Sequence, residues 1–120
     1  MQYLLLIYGP ESHWATLSEA ESGALVGEYL AFSDSIRAQG IMQGGAPLKP
    51  VATAKTVRVR EGRMTVSDGP FAETREQLGG YYLVYCETEQ EALDAAARIP
   101  NARFGSIEVR PLMPLPPRDP

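Results

Sequence analysis

Two short runs constrain the fold of this chain more than anything else in it: Tyr3-Leu-Leu-Leu-Ile-Tyr8 and Tyr81-Tyr-Leu-Val-Tyr-Cys86. Each has the length of a strand, and neither alternates with polar residues. A half-exposed strand would alternate, so both read as central strands that need apolar cover on both faces. The first is far too short to cross a bilayer, which takes roughly 20 residues. No Lys or Arg precedes it and Gly9-Pro10 ends it, which makes a poor signal peptide. The single cysteine, Cys86, leaves no intramolecular disulfide and no cysteine-built metal site. A reduced, cytoplasmic setting is expected.

Two helical patterns can cover one side of such a sheet. Ser18-x-x-Glu21 has capping-box spacing, and Leu25, Tyr29, Phe32 and Ile36 then form one stripe on a 3.6-residue period. Arg37 suits the C-terminal dipole and Gly40 a C-cap, so the spacing predicts one helix over 18–39. Thr88-x-x-Glu91 opens a shorter helix through Ala92, Leu93, Ala96, Ala97 and Ile99, which Pro100 stops. Between the helices, Ile41 to Leu48 reads as a strand made irregular by Gly44-Gly45. Residues 54–60 and 63–67 alternate around a Glu61-Gly62 turn, with Val57 and Val59 on one face and Thr56, Arg58 and Arg60 on the other. Ala72 to Leu78 reads as loop, with Gly79-Gly80 before the second apolar strand. Gly105 to Arg110 is the last strand, with Ile107 and Val109 facing in. Glu11-Ser-His-Trp14 is a loop or a single turn.

Without the hairpin the order is βαββαβ. The expected fold is therefore α+β and ferredoxin-like (split βαβ) with an inserted β-hairpin. One domain is expected over residues 1–111. A proline-rich tail, 112–120, follows and cannot enter a sheet. Two helices cover one sheet face only, yet Leu4, Leu6 and Tyr8 are as apolar as Tyr3, Leu5 and Ile7. A homodimer with sheets packed face to face is the simplest remedy.

Charge is uneven. Eleven basic residues against fifteen acidic give a net charge of -4 and argue against direct nucleic-acid binding. Residues 1–36 hold five acids and no Lys or Arg, whereas residues 37–63 hold six bases and one acid. Arg58, Arg60 and Arg63 on the hairpin either keep an edge hairpin soluble or present an electropositive strip to an acidic partner.

Candidate chemistry is sparse. The sequence has no phosphate-binding loop, no dinucleotide fingerprint and no nucleophile elbow. With one His and one Cys, a His-rich metal centre is excluded within one chain, and no metal or cofactor is expected. His13, beside Trp14, is the one side chain that ordinarily titrates near neutral pH, and it is either a general acid or base or a packing residue. Asp68 and Glu73, flanking Gly69-Pro70, could approach each other as a carboxylate pair with split pKa values. Asp68 could equally tie its own turn. Arg75 and Tyr81 are candidate ligand-binding groups, and Tyr29, facing the sheet from the helix stripe, is a further polar candidate or a core tyrosine. Cys86 reads as a buried small hydrophobe.

Asp68-Gly-Pro-Phe-Ala-Glu-Thr-Arg-Glu-Gln-Leu-Gly-Gly-Tyr-Tyr82 resembles the signature of the DGPF-domain proteins, a branch of the YCII-related superfamily. Tyr3 to Gly9, Thr56 to Arg60, Ala96 to Pro100 and Ile107 to Pro111 resemble it as well. The resemblance implies a dimeric α/β barrel and bacterial, cytoplasmic proteins. Many members are encoded beside extracytoplasmic-function sigma factors, which makes a sigma factor a possible acidic partner for Arg58, Arg60 and Arg63. One relative in the wider superfamily resembles an aromatic-ring dehydrochlorinase, for which a His-Asp pair is the proposed centre. In this chain the position of that His on the first long helix holds Tyr29, and His13 lies too early to match. Only the acidic half, Asp68 or Glu73, carries over. The expected function is that of a small-molecule enzyme or binder with a pocket near Asp68, between the first long helix and the sheet. The alternatives are a regulatory module acting with a sigma factor and a dimer without catalysis.

Overall fold

The computed structural model describes residues 1–117, so the last three positions of the expected tail lie outside the described residues. The two apolar runs become the central strands of one four-stranded antiparallel sheet. These are β1 (Gln2–Gly9) and a longer strand, Gln77–Tyr85, that is fifth in chain order and is called β5. β2 (Met42–Pro47) and β6 (Ser106–Pro111) form the edges, and the spatial order is β2-β5-β1-β6. β3 (Lys55–Arg60) and β4 (Arg63–Asp68) pair only with each other, as a separate two-stranded hairpin. The result is a small mixed α+β domain with antiparallel sheets, consistent with the ferredoxin-like order read from the sequence.

Helices α2 (Glu19–Ala38) and α3 (Glu89–Ala97) flank the sheet, and a short helix α1 (Glu11–Ala15) joins β1 to α2. The Ser18 capping box is complete. The Ser18 hydroxyl accepts the Glu21 N–H at 3.1 Å, and the Glu21 carboxylate accepts the Ser18 N–H at 3.0 Å. That hydrogen bonding holds the Glu21 carboxyl below its ordinary pKa. Thr88 caps α3 in the same way at 3.2 Å, but the Glu91 carboxylate reaches the Glu87 N–H instead of closing the box.

The core is one layer thick. Tyr3, Leu5 and Ile7 on β1 and Tyr82 and Val84 on β5 point to one face and meet Phe32 and Ile36 of α2 and Ala92, Ala95 and Ala96 of α3. Phe32 meets Tyr82 edge to face with ring centroids 5.1 Å apart, and Ser33 Oγ and the Tyr82 hydroxyl share a hydrogen bond of 2.8 Å. Cys86, just past β5, is fully buried, and desolvation pushes its thiol pKa up. The opposite face carries Leu4, Leu6, Tyr8, Tyr81, Leu83 and Tyr85, and among the described residues no helix covers it.

One boundary differs from the sequence reading. Residues 77–80 belong to β5 and are not the end of a loop, because Gln77 pairs with Gly9 and Gly80 with both Ile7 and Pro47. Gly79-Gly80 hid the strand: glycines carry no side-chain pattern, yet they let the neighbouring backbones approach. The irregular strand at Gly44 keeps its bulge, between Met42 and Gly44.

Candidate functional site

Pro10 follows β1 and cannot continue the ladder, so the chain turns into α1. This single turn places His13 against Phe104, with ring centroids 3.9 Å apart and planes at 26°. Phe104 comes from the 3-10 helix Pro100–Arg103 and the residue after it, where Pro100 ends the run of α3. α2 closes the third side. Together they form an open depression of about 320 Å³ lined by His13, Leu17, Glu21, Leu25, Arg103 and Phe104, among others.

Its polar groups are positioned by a short network. The Arg103 guanidinium donates to the Glu28 carboxylate at 2.7 Å, which orients it on the depression wall. The Tyr29 hydroxyl donates to Asn101 Oδ1. Asn101 is the buried polar residue among those described, and burial raises the Tyr29 phenol well above its ordinary pKa, so it stays protonated. The Phe104 and Gly105 N–H groups donate to the Asn101 carbonyl at 3.2 and 2.7 Å. Gly9 is needed here: a side chain would bring its Cβ within 2.8 Å of the Asn101 amide nitrogen. Asn101 therefore ties α2 to the segment bearing Arg103 and Phe104 and packs beside the end of β1.

The candidate residues read from the sequence separate into two groups. His13 lines the depression, and Tyr29 stands behind it on Asn101. Asp68 and Glu73 do not join them. Asp68 is at the base of the hairpin, 85% exposed at its side chain, and pairs with Lys55. Its partner is thus a neighbouring strand's cation, and neither a cavity nor its own turn. Glu73 and Arg75 are exposed in the segment between β4 and β5, and Tyr81 lies on the uncovered sheet face. Arg58 lies over the Phe71 ring, 5.6 Å from its centroid, while Arg60 and Arg63 are cross-strand partners at the hairpin tip. Within one subunit the depression lies at His13, and Asp68, carried away from the four-stranded sheet with the hairpin, lines no part of it. Asn101, Arg103 and Phe104 were not singled out from the sequence. The one signal that pointed to them was a polar Asn directly after Ile99-Pro100, where an N-terminal turn of a 3-10 helix could be read.

An antiparallel four-stranded sheet with two helices on one face defines a small α+β domain. Within that class the chain belongs to the YCII-related family, whose domain model matches residues 1–116. It is 40% identical over 114 residues to an uncharacterized protein of Rhizobium meliloti (strain 1021), covering 93% of this chain and 92% of that one. Its fold is similar to that of a 5-chloro-2-hydroxyhydroquinone dehydrochlorinase from Burkholderia phenoliruptrix AC1100, solved in complex with 2,5-dihydroxybenzoquinone. The TM-score is 0.54, with 13% identity and 94% of each chain covered. Among the described residues no helix is long and apolar enough to cross a membrane.

Proposed function

We propose that this protein is a homodimeric small-molecule enzyme or binder that takes a planar ring bearing acidic hydroxyl groups at the His13 depression. The observation that carries the reading is the stacking of His13 on Phe104 beside the Arg103 guanidinium. An imidazole held by an aromatic face keeps a defined orientation and can accept the proton of a ring hydroxyl. The proton moves from the hydroxyl oxygen to an imidazole nitrogen, leaving an oxyanion. A fixed guanidinium next to it stabilises that charge. Leu17, Leu25 and Phe104 supply the apolar surface against which a ring can lie. The fold-level likeness to a protein that holds a dihydroxybenzoquinone suggests the ligand class by analogy.

Dimerisation belongs to the same reading. Leu4, Leu6, Leu83 and the tyrosines 8, 81 and 85 form an apolar sheet face that one subunit leaves open, and a second copy packed face to face would bury it.

The test uses 2,5-dihydroxybenzoquinone as the probe. Titration into the native protein is expected to shift the His13 ring signals in NMR spectra. His13→Ala should weaken binding by at least about tenfold, and Arg103→Met by a similar factor. Unmoved His13 signals, or unchanged affinity in His13→Ala, would overturn the reading.

A further inference from the structure

Helix α2 is apolar on two sides, and the subunit uses one of them. Leu25, Phe32 and Ile36 are buried on the side that faces the sheet. Val26 and Leu30, four positions apart on another side, are 48% and 62% exposed. Gly23 and Gly27 lie beside them, and a Cβ built on either would meet nothing within 4 Å. Glycine is a poor helix former, and packing within the subunit gives no reason for either one. Together they leave the helix backbone open to close approach from outside.

The charges along this face are ordered. Glu19 and Arg37 stand at the two ends of α2, and their separation is five full turns at roughly 3.6 residues per turn. They therefore lie on one line of the helix, about 27 Å apart, with Val26 and Leu30 within about 20° of it. Glu11, Glu21, Glu28 and Asp34 are each held within the subunit, by the Val51 N–H, the Ser18 N–H, Arg103 and Arg37. Glu19 forms no ion pair among the described residues. Arg37 meets Asp34 at 3.3 Å with both side chains more than half exposed, and a pair of that kind is held weakly. Its guanidinium has donors to spare for a second carboxylate.

We infer that this face of α2 packs antiparallel against α2 of a second copy of this chain. The face is complementary to itself, as a contact about a twofold axis requires. An antiparallel pair centred at position 28 sets Val26 opposite the partner's Leu30. The same register sets Glu19 opposite the partner's Arg37 and Arg37 opposite the partner's Glu19, because both pairs are symmetric about that position. A parallel pair would set like charge on like and align the two helix dipoles. A shallow crossing of about 20° keeps two such helices in contact from end to end. α2 lies on the opposite side of the sheet from Leu4, Leu6 and Tyr8, so the contact is open whether or not the sheet-face dimer forms.

Sedimentation equilibrium of the full chain, from micromolar to millimolar concentration, tests the contact. The native protein is expected to show an association step that Leu30→Glu weakens by at least about tenfold, with circular dichroism unchanged. Glu19→Arg and Arg37→Glu, each alone, should weaken the same step by a similar factor, and the two changes in one chain should restore it. Within one subunit these positions are about 27 Å apart and screened from each other, so only a contact between copies couples them. Orientation is read with a bismaleimide too short to bridge that distance. Chains carrying Glu19→Cys mixed with chains carrying Arg37→Cys should crosslink, while either variant alone should not. Cys86 is fully buried and stays unlabelled. An association step unmoved by Leu30→Glu, or charge reversals that do not cancel in the double variant, overturns the helix contact and leaves the sheet-face dimer standing. Crosslinking of either variant alone overturns the antiparallel register. Sedimentation as a monomer throughout overturns both contacts.

Discussion

The helix-covered face of β1 and the apolar face of the hairpin are each made by every second residue of a strand, and they meet opposite fates. Tyr3, Leu5 and Ile7 alternate along a strand, and so do Val57 and Val59. The first set is buried under α2 and α3, while the second stands in water within one subunit. Alternation fixes which side chains share a face. It does not say whether the cover comes from the same chain or another. That distinction depends on which elements the connections can bring overhead: β1 is central and flanked by crossovers, whereas the hairpin leaves the sheet between β2 and β5 and finds nothing above it.

The sharpest way to break the comparison is to truncate one side chain on each face. Leu5 has no exposed surface, so Leu5→Ala loses its transfer free energy and leaves a cavity, and should cost about 3 kcal/mol in denaturant unfolding. Val57→Ala should change subunit stability by no more than about 0.5 kcal/mol under dilute conditions. A cost for Val57→Ala close to that of Leu5→Ala at the lowest protein concentration would mean that the hairpin is covered within its own subunit.

The second test concerns how the closed half holds its polar end. The buried Asn101 accepts the hydroxyl of the half-buried Tyr29, so Asn101→Ala removes that acceptor and should cost about 1–2 kcal/mol. Removing the tie should also loosen the Phe104 segment and disturb the His13 ring signals. The pH dependence follows from the raised Tyr29 pKa, whose cause is burial. A phenol that ionises less readily folded than unfolded contributes stability fully present below about pH 10, its ordinary value, and lost as pH rises above that. Alkaline unfolding that begins near pH 10 and coincides with phenolate absorbance from Tyr29 is expected. Ionisation of Tyr29 in the intact fold at its ordinary pKa would contradict the buried placement.

What was legible in the sequence divides along the same line. Local signals were reliable: the Ser18 capping box, the Leu25–Phe32–Ile36 stripe and the Glu61-Gly62 turn each involve neighbours a few residues apart, and each fixed an element. The start of β5 was hidden because its specification lies in a partner, with Gln77 on Gly9 and Gly80 on Pro47, and not in its own pattern. The site was hidden for the same reason. Tyr29 and Asn101 are 72 positions apart, and His13 meets Phe104 across nearly the whole chain. His13 was visible as a lone titrating residue, but its wall of Arg103 and Phe104 carried no motif. Conversely, the Asp68-Gly-Pro-Phe71 stretch was the most visible motif in the chain, and within one subunit it builds the hairpin base and not a cavity.

The smallest expected effect is therefore the most informative about that motif. Asp68 is 85% exposed and Lys55 62% exposed, and exposed ion pairs of this kind are worth little. Asp68→Asn removes the charge while keeping shape and an oxygen acceptor. Stability in denaturant should move by less than about 0.5 kcal/mol, and binding of 2,5-dihydroxybenzoquinone should be unchanged, since Asp68 lines no part of the His13 depression. A turn-tying role would show as marked destabilisation, because the N–H groups that the carboxylate held would lose a charged acceptor. A stable Asp68→Asn protein that nevertheless loses the probe would have a different meaning. The hairpin base would then reach a ligand only across the dimer, and the open region of one subunit would complete the closed region of the other.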